Sequence, residues 1–175
     1  MQRRRLIIGV SGSSAPQLAW ERLPDAVAER LAGDAPGSCG ADGLHESHRL
    51  TTVDPDGWPR TAQLSAGELL VAPDGSLRLC TWPGSRTAAN LRRDGRALLS
   101  VVADGACWDL RLALREAPAP PGAPPLAYLV GRAESAEAQR ANYAMVERGV
   151  AFRLPPGSDA PARWNAQLEA LRSLA

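Results

Sequence analysis

The middle of the chain repeats one arrangement of apolar and polar residues three times. Each copy has two apolar-rich segments separated by an Asp-Gly pair: HRLTTV-DPDG-WPRTAQL, ELLVAP-DG-SLRLCTW and RALLSVVA-DG-ACWDLRLAL. Aspartate and glycine tolerate the positive φ angles that tight hairpin turns need, so each copy predicts two antiparallel strands. Within LRLCTW, alternate side chains fall on opposite faces, which is typical of a strand in a barrel or sandwich. The pattern therefore predicts six strands in three hairpins.

Apolar residues at helical spacing flank this strand-rich region on both sides. On the amino side, WERLPDAVAERLAG predicts an amphipathic helix that stops at Gly33. On the carboxyl side, ARWNAQLEALRSL predicts a helix with three large apolar residues on one face. Those three residues are Trp164, Leu168 and Leu171.

Three further segments lie between the last hairpin and the final helix. The proline-rich APAPPGAPP cannot continue a sheet and predicts a surface loop. LAYLVGRAE then predicts a seventh strand, and SAEAQRANYAMVERG predicts a helix. The whole pattern predicts a mainly β fold with peripheral helices, an antiparallel barrel whose sheet is interrupted by one helix. We expect residues 1–43 to form an arm and helix, and residues 44–175 to form the barrel domain.

Composition narrows the chemistry that this barrel can perform. The chain has 175 residues, which suits one main domain, and its net charge of +1 gives no general attraction to nucleic acid or to anionic membranes. All 20 basic residues are arginine, so no lysine is available for a Schiff base with pyridoxal phosphate or for a Walker-type loop. A phosphate would have to be bound by arginine, hydroxyl groups and backbone amides.

Cysteine usage and hydropathy indicate the compartment. The three cysteines are odd in number and include no CxxC pair, which favours a reduced, cytoplasmic protein. The basic start MQRRRLIIGVSG has too short an apolar run for a signal peptide, and no later segment approaches the length of a membrane span. His45 and His48 have no second cluster of ligands at metal-site spacing, so no metal is expected.

The segment TWPGSRTAANLRRDG joins the second hairpin to the third. It leaves a strand, turns at Pro83 and Gly84, and enters a helix at Ser85. A helix amino terminus presents unpaired amides and a partial positive charge, to which the hydroxyl groups of Ser85 and Thr87 and the guanidinium of Arg86 are added here. These groups are those of a phosphate site. The alternative is that Ser85 only caps the helix and Arg86 is solvated.

Two segments carry a family resemblance. LTTVDPDGWPRTAQL and DGSLRLCTWPGSRTAANLRRDGRALLSVV resemble the FMN-binding split-barrel proteins of the pyridoxamine 5'-phosphate oxidase-like superfamily. The resemblance covers Leu50 to Glu116 and continues more loosely to Gly131. It implies an antiparallel split barrel that dimerises, with FMN bound between the subunits.

The resemblance also implies a set of cofactor-binding residues. Arg60 takes the place of the family's strand arginine, and the backbone that follows it lies beside the isoalloxazine ring. Thr81, Ser85 and Arg86 match the phosphate loop, whereas Thr87 stands where the family often has lysine. The complete set is Arg60, Thr61, Ala62, Gln63, Leu64, Thr81, Ser85, Arg86 and Thr87.

The function that follows is that of a cytoplasmic, homodimeric flavoprotein that moves hydride or electrons between FMN and a small molecule. The carboxyl-terminal helix differs from the substrate-binding tail of true pyridoxamine phosphate oxidases, and no residue stands out as an acid–base catalyst. One alternative keeps the fold and replaces FMN with deazaflavin F420. Its acidic tail would bind the arginines at positions 86, 92, 93 and 96. The other alternative is a non-catalytic flavin-binding or partner protein.

Two features have more than one interpretation. Trp58, Trp82 and Trp108 either line a flat pocket or fill the core. The start RRRLIIGVSGSSA is similar to the opening of the flavin prenyltransferase family, in which a strand and a glycine-serine loop meet FMN phosphate. The alternating strands and helices that would support such a loop do not follow, so we expect a strand or a flexible arm here and no second flavin site.

Overall fold

The computed structural model describes residues 23–32 and 42–174. Three helices are present in this part of the chain: α1 (Asp25–Leu31), α2 (Arg86–Asp94) and α3 (Ala160–Arg172). The strands are β1 (His45–Val53), β2 (Pro59–Leu64), β3 (Leu69–Val71), β4 (Leu77–Thr81), β5 (Arg96–Ala103), β6 (Ala106–Ala117), β7 (Ala127–Gln139) and β8 (Val150–Phe152). The starting segment with its GVSGSS stretch, and the predicted helix stop at Gly33, lie outside the described residues.

The strands form one antiparallel sheet in the order β2-β1-β5-β6-β7-β4-β3, and β8 pairs with the start of β1. Strands β2 and β3 are the two ends of this order, so the curved sheet is not closed into a full barrel. The mainly β prediction with peripheral helices, an antiparallel split barrel, is confirmed. The described part of the chain has no helix long and apolar enough to cross a membrane.

All three Asp-Gly pairs lie in hairpins, as predicted. They join β1 to β2, β3 to β4 and β5 to β6, and the two strands of each hairpin are hydrogen-bonded neighbours. The turn between β5 and β6 has positive φ at both central residues, 48° at Asp104 and 68° at Gly105. Two positive φ angles in succession match the twist of the flanking strands, which explains the Asp-Gly signal.

Leucine-rich packing occurs on both sides of β4. Inside the barrel, Leu77 and Leu79 join the main core, to which α1 contributes Val27 and Leu31. On the outer side, Cys80 packs with α3 in a second cluster. The predicted apolar face of α3 is confirmed, because Trp164, Leu168 and Leu171 are all buried. Strand β4, which leads into the loop before α2, is therefore packed on both faces.

The predicted helix over residues 135–149 is wrong. Residues 135–139 continue β7, which pairs with β6 as far as Cys107, and β8 begins at Val150. Arg111 and Leu112 of β6 pair with Ser135 and Ala133, so the register shifts at Glu134 of β7, and Ala136 beyond the shift enters the main core. The long partner strand thus overrides the helical propensity of the alanines and glutamates in this segment.

The partly buried His48 of β1 is expected to make the fold sensitive to mild acid. Burial, followed by the charge of Arg30, lowers the pKa of His48 to about 4, although Glu46 acts in the opposite direction. Between pH 6.5 and pH 4 the unfolded chain binds a proton at this histidine that the native protein does not bind, so stability decreases as the pH falls. We expect the free energy of unfolding to decrease by about 2 kcal/mol from pH 7 to pH 5 through this residue.

Urea unfolding at the two pH values, in the wild type and in His48→Gln, measures this contribution. The variant is expected to lose less stability than the wild type over the same interval, by about 2 kcal/mol. Equal losses in the two proteins would show that His48 is not held neutral by the fold.

Candidate functional site

The loop between β4 and α2 begins the helix with a serine cap. The Ser85 amide donates to the Trp82 carbonyl oxygen at 3.0 Å and closes the turn. Its hydroxyl Oγ accepts a hydrogen bond from the Ala88 amide at 3.0 Å. The amides of Arg86 and Thr87, in the first turn, have no carbonyl partner within a helix. The loop therefore presents two unpaired donors at the positive end of α2.

Arg86 extends from this end of the helix toward the solvent. Its side chain is 71% exposed, and its Nη1 atom lies 3.8 Å from the Asp54 carboxylate, too far for a hydrogen bond. Thr81 is buried at the end of β4, with its Oγ1 atom 3.4 Å from Ser85 Oγ. Thr87 is also buried, so its side chain does not extend toward the solvent with that of Arg86.

Arg60 of β2 contacts the same carboxylate at hydrogen-bond distance. Its Nε atom lies 2.8 Å from both oxygens of Asp54, and its Nη2 atom lies 2.6 Å from Oδ2. The Asn90 amide nitrogen donates to Asp54 Oδ1 at 2.8 Å. These hydrogen bonds, the Arg60 contact above all, lower the pKa of Asp54 to about 2. The structure thus brings Arg60 and Arg86, far apart in sequence, to one ionised carboxylate.

The other predicted β2 residues lie along an open sheet edge. Thr61 Oγ1 is 3.4 Å from Thr51 Oγ1, and Gln63 Oε1 accepts a hydrogen bond from Ser47 Oγ at 3.0 Å. Ala62 is partly buried, and Leu64 is 2% exposed in the main core. Because β2 is an edge strand, backbone groups on its outer side are available to a flat ligand. Because its side chain is buried, Leu64 could contact a ligand only through its backbone.

Sequence reasoning missed Asp54 and Asn90. Asp54 lies in the DPDG turn, where aspartate is expected for its turn geometry alone. Asn90 also donates to Thr52 Oγ1 at 3.0 Å, so it links α2 to the end of β1. A signal was available: asparagine is a poor helix former, yet Asn90 lies four residues after Arg86 and shares its helix face.

The remaining arginines of α2 are bound to protein groups. Arg92 makes bonds of 2.7 to 3.0 Å to Glu116, and its Nη1 atom donates to the Pro83 carbonyl oxygen. Arg93 donates to Asn90 Oδ1, to Asp94 and to the carbonyl oxygen of Val53. Arg92 lies on the exposed side of the helix, but its guanidinium already has a carboxylate partner.

Trp58 and Trp82 do not fill the core. Trp58 is 72% exposed and Trp82 is 67% exposed, whereas Trp108 is partly buried and donates to the Ala103 carbonyl oxygen. Trp58 and Trp82, whose indoles are exposed, lie in turns next to the site, and their carbonyl oxygens accept hydrogen bonds from site residues. The Trp58 carbonyl oxygen accepts from the Asp54 amide at 2.8 Å, and the Trp82 carbonyl oxygen accepts from Ser85.

The fold is thus an open antiparallel split barrel, interrupted by one helix whose amino end lies near an arginine of the edge strand. No family model matches the sequence. The sequence is 32% identical over 150 residues to the uncharacterized protein YclD of Bacillus subtilis (strain 168), covering 83% of this chain and 96% of that protein. The chain belongs to the same family as YclD.

Solved structures share the fold at low sequence identity. A candidate pyridoxamine 5'-phosphate oxidase from Lactobacillus delbrueckii aligns with a TM-score of 0.51 and 16% identity, over 69% of this chain and 98% of that chain. An F420 reductase aligns with a TM-score of 0.46 and 16% identity, over 62% of this chain and 94% of that chain. The first of these likenesses establishes the split-barrel fold.

Proposed function

We propose that this protein is a flavoprotein that binds FMN without a covalent bond and acts as an oxidoreductase on a small molecule. The phosphate would be bound by the amides of Arg86 and Thr87, the Arg86 guanidinium and the hydroxyl groups of Thr81 and Ser85. Arg60 would approach the phosphate from β2. The isoalloxazine ring would lie along the outer edge of β2, from Arg60 to Leu64.

The observation that carries this proposal is the meeting of Arg60 and Arg86 at Asp54. A phosphate monoester has a charge between about −1.5 and −2 at pH 7, and two guanidinium groups with free donors are suited to it. Arg86 offers nearly its whole guanidinium, because its one described partner is 3.8 Å away. The exposed edge of β2 supplies the flat surface that a tricyclic ring needs.

When bound, FMN supplies the hydride chemistry, and the chain supplies binding and orientation. Backbone groups of β2 would fix the plane of the ring, and the α2 amino terminus would fix its phosphate end. None of the predicted cofactor-binding residues has a carboxylate side chain. Asp54, which lies beside them, is ionised and paired with Arg60. This arrangement suits a site in which the cofactor carries the reaction.

F420 is a weaker candidate than FMN on this geometry. The arginines proposed for its acidic tail include Arg92 and Arg93, and both already donate to carboxylates and carbonyl oxygens. Binding the tail would break those bonds, whereas binding FMN phosphate at Arg86 would not.

We also propose a cytoplasmic homodimer in which the second subunit covers the ring. Trp58, Trp82 and Val53 are exposed apolar side chains around the site, and such a patch favours an interface. Cys80 and Cys107 are free thiols, which supports a reducing compartment. Analytical ultracentrifugation would give twice the monomer mass of 18.5 kDa if the dimer forms.

The absorption spectrum of the purified protein, with mass spectrometry of the released cofactor, tests the choice of cofactor. We expect a yellow protein that releases FMN, and F420 in its place would overturn the assignment. Anaerobic addition of reduced nicotinamide then tests catalysis. Bleaching of the flavin is expected of a reductase, and an unchanged spectrum would favour the non-catalytic alternative.

A further inference from the structure

We propose that Asp54 is a positioning residue for the cofactor phosphate: it holds the Arg60 guanidinium in one orientation and joins it, through Asn90, to helix α2. The inference rests on the proposed function, because it concerns the same phosphate. An acidic residue beside an anion site would ordinarily weaken binding. The geometry around Asp54 indicates the opposite effect.

The contact between Asp54 and Arg60 leaves the end of the guanidinium that carries Nη1 free to bind a phosphate. A guanidinium has five N–H donors, and Asp54 accepts from Nε and Nη2 in a forked arrangement. Both donors of Nη1 and one donor of Nη2 remain for another anion. Because the fork is planar and Asp54 is only 10% exposed, the direction of these free donors is fixed before any ligand binds.

Asn90 extends this arrangement to the helix. Its amide nitrogen donates to Asp54 and to Thr52, and its carbonyl oxygen accepts from Arg93 at 3.1 Å. The end of β1, the start of β2 and helix α2 are therefore joined through one buried amide. Arg86 begins that helix, so the backbone that carries Arg86 is joined through Asn90 and Asp54 to the Arg60 guanidinium.

Two effects of Asp54 on phosphate binding oppose each other. Arg60, Arg86 and Asp54 together have a net charge of +1, and removing the carboxylate charge would raise it to +2. If Asp54 acted only through its charge, Asp54→Asn would bind FMN more tightly. If Asp54 positions Arg60, the variant loses the fork and binds FMN more weakly despite the more favourable charge.

The test measures dissociation constants for FMN and for riboflavin, which lacks the phosphate, in the wild type, Asp54→Asn and Asp56→Asn. Asp56 is the matched control, because it lies in the same turn but its described hydrogen bond is to the Trp58 amide. We expect Asp54→Asn to bind FMN about tenfold more weakly, with riboflavin affinity unchanged. Asp56→Asn should bind both ligands as the wild type does.

Equal or tighter FMN binding by Asp54→Asn would overturn the positioning role. A wild type that binds FMN no better than riboflavin would overturn the proposed function itself, so the two failures are distinguishable. If Asp54→Asn does not fold, Asp54→Glu decides the question, because it keeps the charge and moves the carboxylate by one methylene group. A reduced preference for FMN over riboflavin in this variant supports the proposal, and an unchanged preference overturns it.

Discussion

Arg86→Ala is expected to bind FMN about 1.5 to 3 kcal/mol more weakly than the wild type, roughly a 10- to 150-fold increase in the dissociation constant. The guanidinium is 71% exposed and, among the described residues, its ion-pair contact is with Asp54 at 3.8 Å, beyond hydrogen-bond distance, so the free protein loses little when it is removed. The bound state loses a charge-assisted pair with the phosphate. Fluorescence titration with FMN measures the difference.

Arg92→Ala is the matched control for this experiment. Arg92 lies on the same helix and has the same charge, but its guanidinium is bound to Glu116 and to the Pro83 carbonyl oxygen. We expect its FMN affinity to remain within about threefold of the wild type, since surface pairs of this kind contribute little. Equal loss of affinity in the two variants would mean that net charge, and not the α2 amino terminus, attracts FMN.

Gly131→Ala is expected to destabilise the fold by about 3 kcal/mol or more. A Cβ atom at this position in β7 would lie 1.9 Å from the Ala113 carbonyl oxygen and 2.9 Å from Leu114 Cα. Both atoms belong to the backbone of β6, which cannot move without breaking its pairing on either side. Gly131 also pairs with Leu77 of β4, so the displacement would extend to the strand that leads into the loop before α2.

Gly149→Ala provides the comparison for this variant. The nearest atoms to a Cβ atom there are the Ser47 carbonyl oxygen and Val102 Cγ2, both at an ordinary contact distance of 3.6 Å. Its unfolding free energy should stay within about 0.5 kcal/mol of the wild type. Urea unfolding measures the free energy of unfolding of both variants. If the Gly131→Ala protein were as stable as the Gly149→Ala protein, the close approach of β6 and β7 at Gly131 would be contradicted.

The hairpins, the serine cap and the final helix were predictable because their signals are local. An Asp-Gly pair tolerates the positive φ that a tight turn needs within two residues, and Ser85 caps an amide three residues away. The apolar face of α3 depends only on helical spacing. The extent of β7 was not predictable in this way, because alanines and glutamates favour a helix until the partner strand β6 is present.

The arrangement of the candidate site was predictable in part. Family resemblance selected Arg60 and Arg86 one by one, but nothing in the sequence places their guanidinium groups at one carboxylate. Asp54 and Asn90 were missed because the direction of a side chain at a strand end, or on a buried helix face, depends on packing between distant elements. For the same reason, the sequence did not decide whether Trp58 and Trp82 are exposed or fill the core.

In the proposed complex, the phosphate of a flavin binds at the amino terminus of α2, next to Arg60. Nuclear magnetic resonance of ¹⁵N-labelled protein tests it most directly, by following the amide signals of Arg86 and Thr87 during parallel titrations with FMN and riboflavin. We expect large shifts of both signals with FMN and small shifts with riboflavin. Signals that stay in place while FMN binds elsewhere, or that move equally with both ligands, would contradict it.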